Sequence, residues 1–291
     1  MKTLNNIALA LAAVLISAPV LAEDLDITRS VKPDATITVI NVAGEIEIST
    51  WDRDEVQLTG HTGSNAKLEV TGNEHNLRFE VRQLKSRNRS DESELYLVVP
   101  VGASLVAESV SADITITGSR GEQVSAESVS GDVEVLAEAG RVELSSVSGD
   151  IVFNGSATRS SGETVSGDIE FHGISGEVSI NTVSGDARLE AGRVAVGKFE
   201  TVSGSLELAM AVEDSGRLTV ESMSGDVSLA LPSGQAAEFR AQSFSGDIRS
   251  RFGRVERGDF GPGSHLKHIE GGGGASIRVE SFSGDISIGH R

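Results

Sequence analysis

The sequence predicts an all-β protein: a parallel β-solenoid, similar to a single-stranded β-helix, with an irregular β-rich N-terminal cap. Three observations predict this fold. A pentapeptide, which we call the tag and which is exemplified by Val-Ser-Gly-Asp-Ile at 147–151, recurs along the chain. Apolar and polar residues alternate between tags, and the spacing of the tags matches one coil of a solenoid.

The spacing of the tags defines the repeat. Its glycines are Gly131, Gly149, Gly167, Gly185, Gly204, Gly225, Gly246 and Gly284, separated by 18, 18, 18, 19, 21, 21 and 38 residues. A degenerate copy, 110–114, precedes the first, so nine turns fit between residues 105 and 291. With coils about 4.8 Å apart, nine of them predict a rod on the order of 40 Å long.

The alternation between tags is typical of half-buried strands. Val142 and Leu144 precede one tag, and Ile151 and Phe153 follow it. Residues at every second position of a strand share a face, so these side chains are expected inside the rod. A half-period copy of the tag at 174–178 predicts a second bend on the opposite side of the coil and at least two faces.

Each position of the tag has an expected role. The first residue, as in Val129, Val147 and Val165, is expected to point inward and to form a column from coil to coil. The glycine is expected at a bend where a Cβ would crowd the core or where positive φ is needed. Serine and aspartate are expected to face outward or into the turn and accept backbone N–H groups. The predicted structural corner residues are Gly131, Asp132, Gly149, Asp150, Gly167, Asp168, Gly185, Asp186, Gly225, Asp226, Gly246, Asp247, Gly284 and Asp285.

Three segments are predicted from composition. Residues 1–22 form a signal peptide, with Lys2 before an apolar run and a small-residue cleavage site ending at Ala22. Residues 23–104 form the N-terminal cap or first irregular coils, and 105–291 form the repeat solenoid. A Gly-rich loop at 251–274 takes the place of a missing tag. We therefore expect export to the periplasm, the cell surface or the medium.

The composition argues against several partners. The chain has 25 Lys and Arg against 43 Asp and Glu, a net charge of −18, which disfavours nucleic acid and anionic lipid. No later apolar run approaches the roughly 20 residues of a membrane span, so no transmembrane segment is expected in the mature chain. Aromatic residues make up only 4%, which weakens a carbohydrate-cleft hypothesis.

The order of these features resembles a known family. After the signal peptide come the 41–46 strand with Trp51-Asp-Arg-Asp-Glu-Val, the 97–102 step, the serial Ser-Gly-Asp tags and a Gly-rich loop before the last tag. Together they resemble the bacterial exported β-strand-repeat family labelled "putative adhesin", a domain of unknown function. The resemblance implies an exported β-solenoid and no established catalytic residues.

The tag aspartates are the sharpest chemical feature. They are Asp113, Asp132, Asp150, Asp168, Asp186, Asp226, Asp247 and Asp285. Structural bracing is the favoured interpretation, and calcium binding is the alternative, since acidic β-roll repeats bind this ion. His265 and His268 are interpreted as solvated loop residues rather than as two metal ligands. No other cofactor is expected.

We predict no catalytic residue, no cofactor-binding residue and no metal ligand. The expected function is a non-catalytic envelope scaffold or adhesion module whose partner is an unknown protein or glycan. A polysaccharide-active β-helix enzyme is the alternative, with Arg254, Glu256, Arg257 and Asp259 of the Gly-rich loop as its charged cluster.

Overall fold

A computed structural model describes residues 24–84, 92–257 and 263–291, whose 21 strands form one hydrogen-bonded sheet. The predicted signal peptide and residues 258–262 of the Gly-rich loop, which include Gly258, Asp259, Gly261 and Pro262, lie outside the described residues. The strands are β1 (Asp24–Ser30), β2 (Thr36–Trp51), β3 (Glu55–His61), β4 (Ala66–Gly72), β5 (Asn76–Gln83), β6 (Ser93–Pro100), β7 (Ser104–Ser119), β8 (Gln123–Ser128), β9 (Val133–Ser146), β10 (Ile151–Thr164), β11 (Ile169–His172), β12 (Gly176–Thr182), β13 (Ala187–Thr201), β14 (Leu206–Ser222), β15 (Val227–Leu231), β16 (Ala237–Ser243), β17 (Ile248–Ser250), β18 (Val255–Arg257), β19 (Ser264–Glu270), β20 (Ala275–Ser281) and β21 (Ile286–His290).

The fold is a parallel β-solenoid, as the sequence predicts. Each coil contributes two runs of strand, one on each side of the opposite bend. In β10, residues 151–157 pair in parallel with 133–139 of β9, and 159–164 pair with 141–146. The tags connect the second run of one coil to the first run of the next, so the continuous sheet has two principal faces that lie opposite each other.

The core lies between these two faces. Phe153 and Phe171 are fully buried on adjacent coils, with ring centroids 5.6 Å apart in an edge-to-face arrangement. Opposite them, a Cβ added to Gly162 would lie 2.7 Å from the Phe171 ring, which shows that the two runs pack across the core. Each fully buried large apolar side chain of this kind stabilises the fold by about 1.5–3 kcal/mol.

Successive coils are in register through the regular part of the rod. The backbone N–H of Ser148 donates to the carbonyl of Val129 at 3.0 Å, and that of Ser166 donates to Val147 at 3.0 Å. The prediction that Val129, Val147 and Val165 lie on adjacent coils is therefore confirmed.

The stacking order of the coils departs from chain order at the C-terminal end. Strand β20 lies between β14 and β16, and β21 lies between β15 and β17. The tag glycines therefore follow the order Gly225, Gly284, Gly246 along the rod. The cause is the predicted Gly-rich loop, within which β18 and β19 form an antiparallel hairpin, while β19 also pairs antiparallel with β16. The hairpin reverses the direction of the chain. The last coil, formed by β20 and β21, therefore lies between the coil of β14 and β15 and the coil of β16 and β17.

The N-terminal end is built in a similar way. Strand β2 pairs with β7 on one side and with β5 and β6 on the other, all in parallel, so the N-terminal strands continue the sheet of the solenoid. Beyond them, β1 pairs antiparallel with β3, and β4 with β5. Antiparallel strands thus complete the sheet at both ends, where a parallel coil would leave an edge open to pairing with another chain.

Candidate interaction surface

A Ser or Thr residue immediately before each tag stabilises the bend of the chain through hydrogen bonds of its hydroxyl group. Ser146 accepts a hydrogen bond from the backbone N–H of Gly149 at 2.9 Å and donates one to the carbonyl of Gly131 at 3.3 Å. In the same way, the N–H of the tag glycine donates to the hydroxyl oxygen of Ser128 (2.8 Å), Thr164 (3.0 Å), Thr182 (3.0 Å), Thr201 (3.0 Å), Ser243 (2.9 Å) and Ser281 (2.8 Å). This role was not predicted from the sequence, although Ser or Thr stands before every tag.

The tag glycine is required by close approach between coils. A Cβ on Gly149 would overlap the carbonyl oxygen of Gly131, and one on Gly131 would overlap that of Ala112. Neither glycine has a positive φ. Of the two reasons predicted for glycine here, crowding is therefore the one that applies. The crowding atom is backbone of the preceding coil.

The tag aspartates form a ladder of hydrogen bonds from coil to coil. Except at Asp247 on the last coil, each Oδ1 accepts the backbone N–H of the residue at the aspartate position of the next coil. The bonds run from Asp132 to Asp113 (2.9 Å), Asp150 to Asp132 (2.9 Å), Asp168 to Asp150 (2.8 Å), Asp186 to Asp168 (2.8 Å), Ser205 to Asp186 (2.7 Å), Asp285 to Asp226 (2.8 Å) and Asp247 to Asp285 (2.8 Å). Ser205 interrupts the carboxylates, because it stands where the other tags have Asp.

The first residue of the tag points outward, so the prediction that it points inward is wrong. Val147 is 43% exposed, whereas Ser146 and Gly149 on either side of it are buried. Every second residue faces inward up to Ser146. The next inward-facing residue is Gly149, three positions later, so the alternation shifts by one residue between these two. The hydrogen bond between these two residues fixes that shift, and the apolar side chain between them is left on the surface.

These outward side chains form an apolar ridge along the rod. In spatial order the ridge consists of Val110, Val129, Val147, Val165, Val183, Val202, Met223, Phe282 and Phe244, which are 42 to 58% exposed. On one side it is bordered by the aspartate ladder. On the other it is bordered by the acidic column, made of Glu127, Ser145, Glu163, Asn181, Glu200, Glu221, Glu280 and Gln242, which pair in register between coils.

The ridge and the acidic column enclose a groove at the C-terminal coils. Its volume is about 800 Å³. Val202, Met223, Phe282 and Phe244 form its apolar wall, while Asn181, Glu200, Glu221, Glu280 and Gln242 form the opposite wall. The buried hydroxyl residues Thr182, Thr201, Ser222 and Ser281 line its floor. All ionisable side chains in this lining are glutamates.

Some carboxylates near the groove have cationic neighbours outside its lining. Lys198 lies 2.8 Å from Glu200, and a hydrogen bond to this carboxylate raises the pKa of the lysine. Arg278 lies 2.7 Å from Glu280. Among the described residues, Glu221 has no ion pair. These pairs are exposed and contribute little to stability.

The described part of the Gly-rich loop carries charged pairs on the surface. His265 lies 3.3 Å from Glu256, and His268 lies 2.8 Å from Glu270. Strand β19 directs the two histidines to different carboxylates. Within residues 24–84, 92–257 and 263–291, no three His, Cys, Asp or Glu side chains converge into a metal-binding group. The calcium hypothesis for the aspartates therefore stays a prediction.

Comparison with known proteins identifies the family. The model of the Toastrack family, DUF4097, matches residues 23–289. The chain belongs to the Toastrack family. The resemblance seen in the sequence is thereby confirmed. No curated protein matches the chain, and no helix in the described part of this Toastrack chain is long and apolar enough to cross a bilayer.

Solved structures are similar to this Toastrack chain at low identity. A "putative adhesin" from Bacteroides fragilis is 10% identical with a TM-score of 0.46, and the match covers 91% of this chain and 97% of the other. A "putative adhesin" from Parabacteroides distasonis is 13% identical with a TM-score of 0.48, covering 92% and 97%.

Proposed function

We propose that this Toastrack chain is an exported, non-catalytic β-solenoid that acts as an adhesion or scaffold module of the cell envelope. The apolar ridge is the observation that supports this proposal. An ordered apolar stripe of this length on a protein surface is typical of an interaction site. Solenoids offer extended surfaces of this kind to extended partners, in this case an envelope protein or glycan.

The bonding of the tag carboxylates favours a structural role over catalysis. Each ladder carboxylate except that of Asp247 has one oxygen that accepts a backbone N–H, as Asp150 does from Asp168. A general acid or base instead needs a carboxyl group free to exchange protons with a substrate. The charged pairs of the Gly-rich loop are the remaining candidates for a polysaccharide-active enzyme, the second hypothesis.

Export is part of the proposal and depends on residues 1–22. Their charged start, apolar run and cleavage site have the pattern of a secretory signal. Fractionation of cells that express the full chain should recover a shortened protein outside the cytoplasm. Recovery of the full-length protein from the cytoplasm alone would contradict export.

Crosslinking in an envelope extract tests the interaction. The wild-type chain is compared with the triple variant Met223→Ser, Phe244→Ser, Phe282→Ser, which removes the largest apolar side chains of the ridge. A matched control, Leu136→Ser with Val196→Ser, removes two apolar side chains that are 51% and 46% exposed away from the ridge. We expect a stoichiometric partner with wild type and control, and at least a tenfold loss with the ridge variant. Equal recovery with all three proteins would contradict the proposal, and soluble product from a glycan panel would favour the enzyme.

A further inference from the structure

The apolar ridge changes character at the C-terminal coils. Its first six members are valines, but the last three are Met223, Phe282 and Phe244, which are 58%, 58% and 55% exposed. Exposed apolar surface is unfavourable in water, and larger side chains increase it. A corner that needed only a small apolar residue would not require this change. Methionine and aromatic residues are enriched at the centres of protein interfaces.

These large side chains form one continuous wall. The backbone N–H of Ser283 donates to Met223 at 3.0 Å, and that of Ser245 donates to Phe282 at 3.1 Å, so the three residues lie on consecutive coils. The rings of Phe282 and Phe244 stack with centroids 5.0 Å apart and planes 9° apart. The stacked pair is held in place before any partner binds, which lowers the entropy cost of binding.

The charges around this wall define the chemistry of the partner. The groove lining contains three glutamates and no Lys, Arg or His. Lys198 and Arg278 beside the lining pair with two of them, and Glu221 keeps its charge unpaired. On the other side of the ridge, Asp285 and Asp247 pair with arginines at 3.7 Å and 3.5 Å, and Asp226 continues the ladder without an ion pair among the described residues. A partner with an apolar stripe between cationic side chains would therefore meet complementary surface on both sides of the ridge.

The spacing of the coils favours a helix. Coils lie about 4.8 Å apart, whereas an α-helix rises about 5.4 Å per turn. Over four coils, the apolar positions of an aligned helix drift by only about 2 Å relative to the ridge. An extended strand presents side chains of one face about 6.6 Å apart, so it would lose register after one or two coils.

We propose that the groove beside Met223, Phe282 and Phe244 binds a cationic amphipathic helix of a partner protein. The inference rests on the proposed interaction function and specifies its site and partner chemistry. The helix places its apolar stripe against the ridge, and its Lys or Arg side chains reach the acidic column and the aspartate ladder. A second copy of this chain is a poorer occupant, because both copies carry a net charge of −18.

A synthetic helical peptide tests the proposal. The probe is a fluorescent peptide of four to five turns with a Leu stripe flanked by Lys, measured by anisotropy with the full mature chain at low salt. We expect saturable binding. A peptide with Glu in place of Lys, and a Lys-Ser peptide without the apolar stripe, should each bind at least tenfold more weakly. Equal binding of the Lys-Ser peptide would reduce the interaction to general attraction between opposite charges and overturn the proposal.

Variants locate the site. The double variant Phe244→Ser, Phe282→Ser should weaken peptide binding at least tenfold, and Glu221→Gln about threefold. The control Leu136→Ser with Val196→Ser should bind like wild type. Thermal melting checks that each variant is folded, and a result counts only for folded variants. Unchanged binding by the folded Phe variant would overturn the proposal.

Two further outcomes separate this inference from the proposed function. If no peptide binds but the ridge-dependent crosslink in extract remains, the partner is not a cationic amphipathic helix and the proposed function stands. If the wild-type chain self-associates in sedimentation and the Phe variant is monomeric, the occupant is a second copy and the helix proposal fails.

Discussion

The Oδ1 atom of Asp150 accepts a hydrogen bond from the backbone N–H of Asp168, one coil further along the rod, at 2.8 Å. The aspartate ladder therefore joins successive coils through hydrogen bonds between a side chain of one coil and the backbone of the next. Carboxylates about 4.8 Å apart in water repel by roughly 1 kcal/mol per neighbour. A hydrogen bond to a charged group contributes about 1.5–3 kcal/mol, which offsets this cost.

The contributions of the hydrogen bond and of the charge repulsion can be measured separately at Asp150. Asp150→Asn keeps an oxygen acceptor and removes the charge, whereas Asp150→Ala removes both. We expect the alanine variant to lose about 1–2 kcal/mol of unfolding free energy, measured by urea denaturation. The asparagine variant should remain within about 0.5 kcal/mol of wild type, because it also loses the repulsion. Equal losses in both variants would show that a neutral acceptor cannot replace the carboxylate and would contradict this expectation.

Calcium is the competing role for the same aspartates. The ion requires six to eight oxygen ligands at about 2.3–2.6 Å, and one oxygen of every ladder carboxylate except that of Asp247 already accepts an N–H. We therefore expect the same melting temperature in EDTA and in millimolar calcium. A clear rise in calcium, abolished by Asp150→Asn and Asp168→Asn together, would establish a calcium site instead.

The tag glycine should tolerate no side chain. Gly149→Ala places a Cβ against the carbonyl of Gly131 and should cost more than about 2 kcal/mol, since the crowding atom is backbone and cannot move aside easily. The control is Gly289→Ala, because a Cβ at Gly289 would meet no atom within 4 Å. Urea denaturation measures both. If Gly149→Ala expresses only as insoluble protein while Gly289→Ala is soluble, the same conclusion holds; similar stability of the two variants would contradict it.

The sequence could predict the coil and its tags because the physical causes are local. Gly149, Asp150 and Ile151 repeat with the period of one coil, and alternation places Ile151 and Phe153 inside. The orientation of Val147 could not be predicted from hydrophobicity alone. The alternation of inward-facing residues can shift by one residue at either of two places. The first residue to face inward after the shift is Val147 in one case and Gly149 in the other. Hydrophobicity favours the first, but the N–H of Gly149 needs the Ser146 hydroxyl, which selects the second.

The order of the last coils also could not be read from periodicity. A period states which residues are equivalent, and it does not state which equivalent coils are neighbours. The 38-residue interval between Gly246 and Gly284 is compatible with a bulged coil or with a returning hairpin. The pairing of β16 with both β19 and β20 decides for the hairpin, and this pairing depends on contacts between segments far apart in sequence.

Engineered cysteines test this order directly, because the chain has no native Cys. Met223→Cys with Phe282→Cys places two cysteines on adjacent coils, with Cα atoms about 4.8 Å apart, within the Cα–Cα range of a disulfide. Met223→Cys with Phe244→Cys places them two coils apart, too far to bridge. We expect rapid crosslinking of the first pair on mild oxidation, seen as a mobility shift on non-reducing gels. Preferential crosslinking of the second pair would restore the sequential order.

The single tyrosine gives a pH-dependent prediction. A hydrogen bond from the Tyr96 hydroxyl to Glu94 at 2.9 Å, with burial and the nearby Glu45 carboxylate as further causes, raises its pKa to about 12. The protonated phenol is the form that the fold favours. Its contribution to stability is therefore complete below the ordinary tyrosine pKa of about 10 and is lost as the pH rises toward 12.

Ultraviolet titration of the phenolate measures this pKa, since no other tyrosine contributes. The folded chain should titrate with a midpoint near 12, and the urea-unfolded chain near 10. Glu94→Gln should lower the folded midpoint toward 10, because it removes the carboxylate that holds the proton. Circular dichroism at each pH verifies that the β-structure persists. A folded wild-type midpoint near 10 would show that Tyr96 does not make this bond in solution.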